Sequence, residues 1–390
     1  MKKILFYDDV LVFGGHEIMA LAGIRYIIEY SDLLLDFICH EENKRLRLAL
    51  ENLNKRGDRI KIHLIKPRML DSLEIFFARN EIAETRRLMK GIDPDVAVVI
   101  QGRIEISYQG LVASKKAGYP TISYIPLAHR MPSCLAGRKI RRFRDMKDFI
   151  YVRLEDIADR YFYGLPDKFI TISKDMKDKL ISNGAGPKID VVYNGTDLSG
   201  LKIFNKADSR ERYGLNKENY LAALIGRIAF SQKGQDFLID AVSEFRDSLE
   251  DIGFLIIGEG PDKQSLEKMI AARGLAGHVR IIPWQDDLSE IYSAVDMLVI
   301  PSRFEGMPLV MTEAMYYRLP VIASDVDGMA ELLPREWLFK YGDREGLIRT
   351  LRKVRAGDNT TKLDENRRLV MDKFRLERFG ADFMRAVTGN

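Results

Sequence analysis

Apolar segments of strand length alternate with amphipathic segments along almost the whole chain. In the first half the apolar runs are KILFYD, LLLDFIC, RIKIHLI, DVAVVIQG, TISYIP, KFITIS and IDVVYN. Such continuous runs are typical of parallel strands that are buried on both faces. Between most of them lie stretches with apolar residues at helical spacing, such as HEIMALAGIRYIIEY and EIAETRRLMKGI. This alternation predicts an α/β protein with parallel sheets and right-handed crossover connections.

The second half repeats the pattern. YLAALIGR, GFLIIG, VRIIPW, DMLVIPS and LPVIAS have the character of strands, and KGQDFLIDAVSEF, DKQSLEKMIAARG, LSEIYSAV and PLVMTEAMYY separate them. A polar segment over residues 194–216 divides the halves, and 390 residues suffice for two domains with their own cores. We predict two Rossmann-like, doubly wound domains that face each other, over residues 1–197 and 198–372. Residues 373–390 are expected to form a helix that packs back toward the first domain.

Composition and charge narrow the class of protein. The chain is 46% hydrophobic and 30% charged, and its net charge of +4 is too small to argue for a nucleic-acid partner. Two cysteines, Cys39 and Cys134, cannot form a disulfide framework, and the five histidines lack zinc-site spacing. Asp8 and Asp9 interrupt the apolar N-terminus, which we interpret as a buried strand rather than a signal peptide. No run approaches the ~18 apolar residues of a membrane span. These features predict a cytoplasmic protein.

The segment RFEGMPLVMTEAM, residues 303–315, follows the strand DMLVIPS. Pro308 fits the first position of a helix, and the free amides of that first turn can bind an anion. Gly306 would let the backbone approach a ligand closely. Ligands of doubly wound sheets bind beyond the carboxyl ends of strands, which is where this segment lies.

Two glutamates flank this predicted anion site. Glu313 lies five residues beyond Pro308, or ~7 Å along a helix. With a diphosphate at the helix N-terminus, Glu313 can accept hydrogen bonds from both ribose hydroxyls, and Glu305 can accept them from a sugar beyond the phosphates. The alternative places Glu305 in a solvated loop and Glu313 on a polar helix face.

The chain resembles the retaining nucleotide-sugar glycosyltransferases of family 4, which have the GT-B fold. Glu305 and Glu313 match the E-x(7)-E motif of that family. Four further segments resemble family motifs in the same order along the chain. They are GGHE at 14–17, YNGTD at 193–197, GRIAFSQKG at 226–234 and IIGEGP at 256–261.

The resemblance implies a role for each donor-side residue. Glu313 would bind the ribose, and Glu305 the transferred sugar. Arg227 and Lys233 would hold the diphosphate, where fixed cations stabilise the negative charge that builds on the leaving group. Four residues would touch sugar and phosphate through their backbone: Gly306, Met307, Pro308 and Leu309. Trp284 falls where relatives hold the base, although an anchor in the core explains it equally well.

Loops of the first domain supply the acceptor-side candidates. Gly14 and Gly15 are predicted to present amides to phosphate or acceptor, the alternative being a simple tight turn. His129 follows a predicted strand, and the resemblance implies a place near the donor sugar; the alternative is a loop histidine bonded to the backbone. Gln101 and Arg103 end another strand and are acceptor-side candidates.

Two features concern metal and membrane. Asp325-Val326-Asp327 mimics a metal-binding DxD, but relatives usually have glycine where Asp327 stands, and we predict no metal site there. The segment GRKIRRFRDMKDFIYVR, residues 137–153, is basic and amphipathic and can lie on an anionic membrane surface. Its alternative is a solvated helix with an ordinary buried stripe.

Together these features imply a retaining, metal-independent enzyme that transfers a sugar from a nucleoside diphosphate sugar to an acceptor hydroxyl. The donor is a substrate, with a UDP-sugar favoured over a GDP-sugar, and no cofactor is expected. A glycan or lipid-linked acceptor in bacterial cell-surface polysaccharide or glycolipid assembly fits best, on the inner face of the membrane. The alternatives are an enzyme that makes a small soluble glycoside or disaccharide, and a silent nucleotide-binding subunit.

Overall fold

The chain folds into two compact units. The computed structural model describes residues 3–11, 13–55, 57–66, 74–128, 154, 157–186, 188–216 and 219–389. Unit 1 comprises Met1–Tyr193 together with Glu377–Asn390, and unit 2 comprises Asn194–Leu376. The boundaries predicted from the sequence were 197/198 for this division and residue 373 for the start of the final segment.

Unit 1 is built on a seven-stranded parallel sheet in the order β3-β2-β1-β4-β5-β6-β7. Its strands are nearly all buried, as the apolar runs predicted. The strands are β1 (Lys3–Asp8), β2 (Leu34–His40), β3 (Ile60–Ile65), β4 (Val96–Ile100), β5 (Thr121–Tyr124), β6 (Lys168–Thr171) and β7 (Ile189–Val191).

Helices connect these strands, and the last helix of the chain belongs to the same core. Phe383 of that helix is fully buried and packs on the rings of Phe6 and Tyr124, at centroid distances of 6.5 and 5.5 Å. A side chain on Gly23 would collide with the Phe383 ring. The helices are Gly15–Tyr30, Lys44–Asn54, Arg79–Ile92, Tyr108–Ala117, Lys174–Ser182 and Leu376–Thr388, the last beginning one residue before the unit boundary.

Unit 2 is built on a six-stranded parallel sheet in the order β10-β9-β8-β11-β12-β13. All of its strands except the two-residue β13 were predicted from the sequence. The strands are β8 (Tyr220–Ile225), β9 (Ile252–Ile257), β10 (Val279–Ile282), β11 (Met297–Ile300), β12 (Val321–Ser324) and β13 (Leu338–Phe339). The longer helices are Lys206–Arg212, Gln235–Glu244, Lys263–Ala272, Leu309–Tyr316, Arg344–Ala356 and Thr360–Lys373.

Strand order reverses once in each sheet. The reversal lies between β1 and β4 in unit 1 and between β8 and β11 in unit 2. The loops that leave two such strands diverge to opposite sides, which opens a crevice where ligands of this fold class bind. The candidate segments 226–234 and 303–313 follow β8 and β11 and therefore meet at the crevice of unit 2.

The described part of the chain contains no helix that is long and apolar enough to cross a membrane. The basic segment 137–153 and His129 lie outside the described residues, so the predictions made for them stay predictions.

Candidate functional site

Glu305 lies in the loop after β11 and is buried, with 5% of its surface exposed. Lys233 Nζ lies 2.5 Å from Glu305 Oε1, and the Ser302 hydroxyl donates to the same oxygen at 2.9 Å. The backbone amide of Glu305 donates to the carboxylate of Asp327 at 2.6 Å. A solvated loop position, the alternative for this residue, is therefore wrong. The carboxylate is held in one orientation by a cation and a hydroxyl.

Lys233 and Arg227 both belong to the loop after β8 but have different surroundings. Lys233 ends the short helix Phe230–Lys233, and its ammonium group lies beside the backbone of Gly226. Arg227 is exposed, and within the described chain its guanidinium has no ion-pair or hydrogen-bond partner. The structure thus brings Lys233, but not Arg227, into contact with Glu305. Arg227 remains available to an anion.

Close backbone approaches hold this loop in place. A side chain on Gly234, which has φ +68°, would meet the carbonyl oxygen of Pro301 at 2.0 Å. Gly258, with φ +159°, approaches the carbonyl oxygen of Gly226 in the same way. The amide of Ile228 also donates to Glu259 O at 2.8 Å. The glycines of the IIGEGP segment therefore let the loop after β9 support the loop after β8.

Glu313 lies on the helix Leu309–Tyr316 and is partly buried. The Tyr292 hydroxyl donates to Glu313 Oε2 at 2.6 Å, and the Tyr292 ring stacks on Tyr317 at 5.1 Å. Burial raises the pKa of the Glu313 carboxyl above its ordinary value, and the Tyr292 hydrogen bond opposes this shift. Tyr292 was not predicted from the sequence, because its apolar helical context gives no sign of a polar contact.

The segment between the two glutamates supplies backbone donors. Within the described chain, four backbone amides of this segment donate no hydrogen bond: those of Gly306, Met307, Leu309 and Val310. Pro308 is the N-cap, with φ −68° and ψ 129°, and the helix begins at Leu309. The prediction that Pro308 occupies the first helical position is therefore wrong by one residue. The correction leaves the first-turn amides free, as an anion site requires.

The NGTD segment, residues 194–197, contacts the segment that lies between the two glutamates. The buried Asn194 side chain donates to the carbonyl oxygen of Met307 at 2.9 Å. The hydroxyls of Thr196 and Thr312 share a hydrogen bond of 2.6 Å. Both contacts lie within unit 2, although the sequence analysis treated this segment only as a linker. It therefore fixes the backbone of segment 303–313.

Asp325 and Asp327 differ in their surroundings. Asp325 is exposed, whereas Asp327 is buried and its carboxylate accepts the Glu305 amide. Asp327 has φ +53°, the left-handed region that favours glycine, as the family pattern at this position suggested. Among the described residues, Asp325 and Asp327 do not belong to a cluster of acidic or histidine side chains that is close enough to hold a cation. Asp327 therefore positions the Glu305 backbone, and the exposed Asp325 takes no part in that contact.

Trp284 follows β10, the edge strand of the unit 2 sheet. Its side chain is 46% exposed, and its Nε1–H donates to Asp286 at 3.3 Å. The alternative of a core anchor is therefore wrong. A base-packing role stays a prediction.

The acceptor-side candidates meet at the crevice of unit 1. The amide of Gly14 donates to the Glu17 carboxylate at 2.7 Å, so it is occupied within the helix cap. Gly15 is exposed, and a side chain there would meet nothing. Both amide hydrogens of Gln101 go to the carbonyl oxygens of Ile104 and Ile106. This arrangement favours a loop-positioning role for Gln101 and leaves Gly15 as the more accessible backbone.

Arg103 is partly exposed, 3.9 Å from the carboxylate of Glu105. At that distance the contact is a loose ion pair near the surface, which contributes little to stability. The side chain is thus still able to reach a ligand at the crevice. Its acceptor-side role stays a prediction.

Two family models match the chain. One, described as Glycosyltransferase Family 4, matches residues 35–199, and one described as Glycosyl transferases group 1 matches residues 205–368. The solved structure of Anabaena Alr3699/HepE in complex with UDP covers 100% of both chains with a TM-score of 0.75. Its sequence identity of 17% establishes a likeness of fold.

Curated relatives share higher identity over shorter stretches. An alpha-D-kanosaminyltransferase from Streptomyces kanamyceticus is 37% identical over 33% of each chain. A UDP-Gal:alpha-D-GlcNAc-diphosphoundecaprenol alpha-1,3-galactosyltransferase from Escherichia coli is 30% identical over 43% of this chain and 45% of its own. The matches thus span less than half the length of these relatives.

The chain belongs to glycosyltransferase family 4 and has the GT-B fold. The two family models together span most of the sequence, one on each predicted domain. The family and the fold that the sequence motifs predicted are confirmed.

The contact between Asp327 and the Glu305 amide predicts a specific pattern of stability. Asp327→Ala should lower the free energy of unfolding by roughly 1–3 kcal/mol, because it leaves the buried Glu305 amide without an acceptor and because alanine tolerates positive φ less well than aspartate does. Asp327→Asn should cost less than about 1 kcal/mol, since asparagine keeps an acceptor and tolerates this φ. Urea denaturation measures both variants.

The exposed Asp325→Ala serves as the control and should change stability by less than about 0.5 kcal/mol. Equal stability of Asp327→Ala and Asp325→Ala would show that the Glu305 amide does not depend on Asp327.

Proposed function

We propose that this protein is a retaining glycosyltransferase that moves a sugar from a nucleoside diphosphate sugar to an acceptor hydroxyl. The observation that carries the proposal is the arrangement at the crevice of unit 2. There a buried glutamate, its lysine partner and free helix amides lie together, and a second glutamate stands one turn further on. The family to which the chain belongs supports the same class of reaction.

The diphosphate would lie against the N-terminus of the helix Leu309–Tyr316. The free amides of that turn would donate to phosphate oxygens, and Arg227 would fork onto two of them. Lys233 lies near enough to exchange its contact with Glu305 for one with phosphate, because a lysine ammonium is a point charge on a flexible stem. Such fixed donors stabilise the leaving diphosphate without a divalent ion.

The two glutamates would bind the two remaining parts of the donor, the ribose and the transferred sugar. Glu313, oriented by Tyr292, would accept hydrogen bonds from both ribose hydroxyls. Those hydrogen bonds favour the ionised form of the Glu313 carboxyl. Glu305 would accept hydrogen bonds from hydroxyls of the transferred sugar. We assign neither carboxylate as a nucleophile, because Glu305 binds hydroxyls of the sugar and Glu313 lies a helical turn further on, at the ribose. We therefore propose departure and attack on one face of the sugar, with the leaving phosphate accepting the acceptor proton.

A UDP-sugar is the favoured donor and a lipid-linked or glycan hydroxyl the favoured acceptor. The Escherichia coli relative, whose name includes UDP-Gal and a diphosphoundecaprenol acceptor, supports both parts. The HepE structure with UDP supports the nucleotide. The proposed setting is bacterial polysaccharide or glycolipid assembly at the inner face of the cytoplasmic membrane.

An exposed apolar surface of unit 1 supports a membrane setting. Phe77 is 85% exposed, and the ring of Phe76 packs 5.6 Å from that of Tyr161. In sequence, part of this surface directly follows the basic segment 137–153, so cationic and apolar residues are close along the chain. Leu154 and Ile157, which precede Tyr161 in the chain, are exposed as well.

A small soluble acceptor is the second candidate. It is favoured by the likeness to a D-inositol 3-phosphate glycosyltransferase from Mycobacteroides abscessus, which is 31% identical over 45% of this chain and 41% of its own and whose name includes a small phosphorylated polyol. The vesicle experiment below separates the two candidates.

Calorimetric titration with UDP and with an intact UDP-sugar tests the division between the glutamates. Glu313→Ala should weaken both ligands roughly ten- to a hundredfold, because a hydrogen bond to a charged group is worth about 1.5–3 kcal/mol and both ligands carry the ribose. Glu305→Ala should bind UDP as well as or slightly better than the wild type, since Lys233 is then released to the phosphates. It should nevertheless depress sugar transfer.

Tyr292→Phe provides a matched control, because it removes one hydroxyl beside Glu313 and leaves Glu305 untouched. It should weaken both ligands in the same sense as Glu313→Ala, but less. A loss of UDP affinity in Glu305→Ala as large as that in Glu313→Ala would defeat the assignment.

The two cations are expected to act on the leaving group. Arg227→Ala and Lys233→Ala should each lower turnover at least a hundredfold, or roughly 3 kcal/mol of barrier. Lys268, an exposed cation on the helix Lys263–Ala272, provides the control, and Lys268→Ala should leave turnover unchanged. Near wild-type turnover in both site variants would exclude the proposed role.

Sedimentation with anionic phospholipid vesicles tests the membrane setting. Phe77→Ser should reduce partitioning about tenfold or more, because burying a phenylalanine side chain is worth about 1.5–3 kcal/mol. Ile203→Ser, at an exposed apolar residue of unit 2, is the control and should partition like the wild type. A wild-type protein that stays in solution would favour the soluble acceptor.

A further inference from the structure

Three ionisable side chains converge at the crevice of unit 1. Asp8 ends β1, and His16 and Glu17 lie in the first turn of the helix Gly15–Tyr30. A carboxylate oxygen of Asp8, one of Glu17 and a ring nitrogen of His16 all lie within 4.8 Å of one another. Asp8 and Glu17 are fully buried. Two carboxylates and an imidazole are thus brought together away from water.

Each residue of this triad has a polar atom that the surrounding chain leaves unused. Asp8 Oδ1 accepts the Val10 amide at 3.1 Å, and Glu17 Oε2 accepts the Gly14 amide at 2.7 Å. The other oxygens, Asp8 Oδ2 and Glu17 Oε1, are buried and accept no hydrogen bond within the described chain, and His16 Nε2 makes none there either. His16 Nε2 and Glu17 Oε1 are 3.0 Å apart, but not in hydrogen-bond geometry.

Two other carboxylates of the same unit are satisfied by neighbouring side chains. Asp9, next along the chain, receives the Tyr7 hydroxyl on one oxygen and the Ser107 hydroxyl on the other, both at 2.9 Å. His63 and Asp36 form a direct contact of 2.6 Å. Buried carboxylates normally find such partners, because an uncompensated charge in the interior costs several kcal/mol. Within the described chain, Asp8 Oδ2, Glu17 Oε1 and His16 Nε2 lack such partners.

We propose that Asp8, His16 and Glu17 bind one divalent transition-metal ion of the Zn²⁺ or Mn²⁺ class. One imidazole nitrogen and two carboxylate oxygens suit these ions better than Mg²⁺, which prefers an all-oxygen shell. Ligand atoms of a tetrahedral Zn²⁺ lie about 3.4 Å apart, so side-chain shifts on the order of 1 Å would close the site. The ion would neutralise the two buried carboxylates together.

The position of His16 makes the site accessible and orients the ring. The His16 side chain is 17% exposed while its Nε2 is buried, so solvent reaches the edge of the ring and an ion would enter past it. Its ring packs on Gly102 of the loop after β4, where a Cβ would lie 2.8 Å from a ring carbon. The ion would therefore join the end of β1 to the start of the first helix, beside the Gly14–Gly15 turn. This site lies wholly in unit 1 and does not depend on the proposed donor chemistry.

Metal-stripped full-length protein tests the proposal. Calorimetric titration with Zn²⁺ should show one site per chain with a Kd in the micromolar range or below, and Mg²⁺ should bind at least a hundredfold more weakly. Co²⁺ should give visible absorption bands that Zn²⁺ abolishes. His16→Ala and Asp8→Asn should each weaken Zn²⁺ binding at least tenfold and remove the Co²⁺ bands.

His63→Ala provides the matched control, because it removes a histidine that also contacts a carboxylate but belongs to no triad. It should bind Zn²⁺ like the wild type. Asp8→Asn should also lose the increase in melting temperature that Zn²⁺ gives to the wild type. Absence of Zn²⁺ and Mn²⁺ binding by the wild type would overturn the proposal, as would undiminished binding by His16→Ala.

Discussion

The carboxylate of Glu305 is the group on which the candidate site of unit 2 depends. A buried charge requires compensation, and it receives a cation from the loop after β8 and a hydroxyl from the end of β11. Its own backbone is tied to the segment after β12 by the Asp327 contact. Loops from neighbouring strands are therefore joined at one side chain. Because a parallel sheet places these loops at the same edge, the topology of the sheet and the electrostatics of the site support each other.

Both units use the same place in the same kind of sheet. In unit 2 the strand reversal lies between β8 and β11 and gathers Arg227, Lys233 and Glu305. In unit 1 it lies between β1 and β4 and gathers the Asp8–His16–Glu17 triad beside Gly102. The chemistry differs: unit 2 offers cations and amides suited to an anion, whereas unit 1 offers carboxylates suited to a cation. One architecture thus presents opposite charges at equivalent positions.

The sequence predicted most of the fold because its strands are continuous apolar runs with distinct helical stretches between them. It missed β13, whose two residues are too few to show a period. It identified Glu305, Glu313 and Lys233 by spacing and motif, but not the contacts that orient them. Tyr292, Ser302 and Asn194 lie in segments whose patterns indicate strand, helix or linker, and only the fold reveals their partners. The metal triad escaped notice for a similar reason, since Asp8 and His16 are eight residues apart and meet only through the turn between them.

The pairing of Lys233 with Glu305 has a consequence for the release of the nucleotide product from such a site. While an intact donor is bound, sugar hydroxyls satisfy Glu305 and leave the lysine to the phosphates. Once the sugar has moved to the acceptor, the remaining nucleotide offers Glu305 nothing, and the buried carboxylate again competes for its cation. The lysine would return to the contact seen here, and the spent nucleotide would lose one of its counter-charges. The Lys233–Glu305 ion pair of the ligand-free protein would in this way favour release of the spent nucleotide after transfer and so speed turnover.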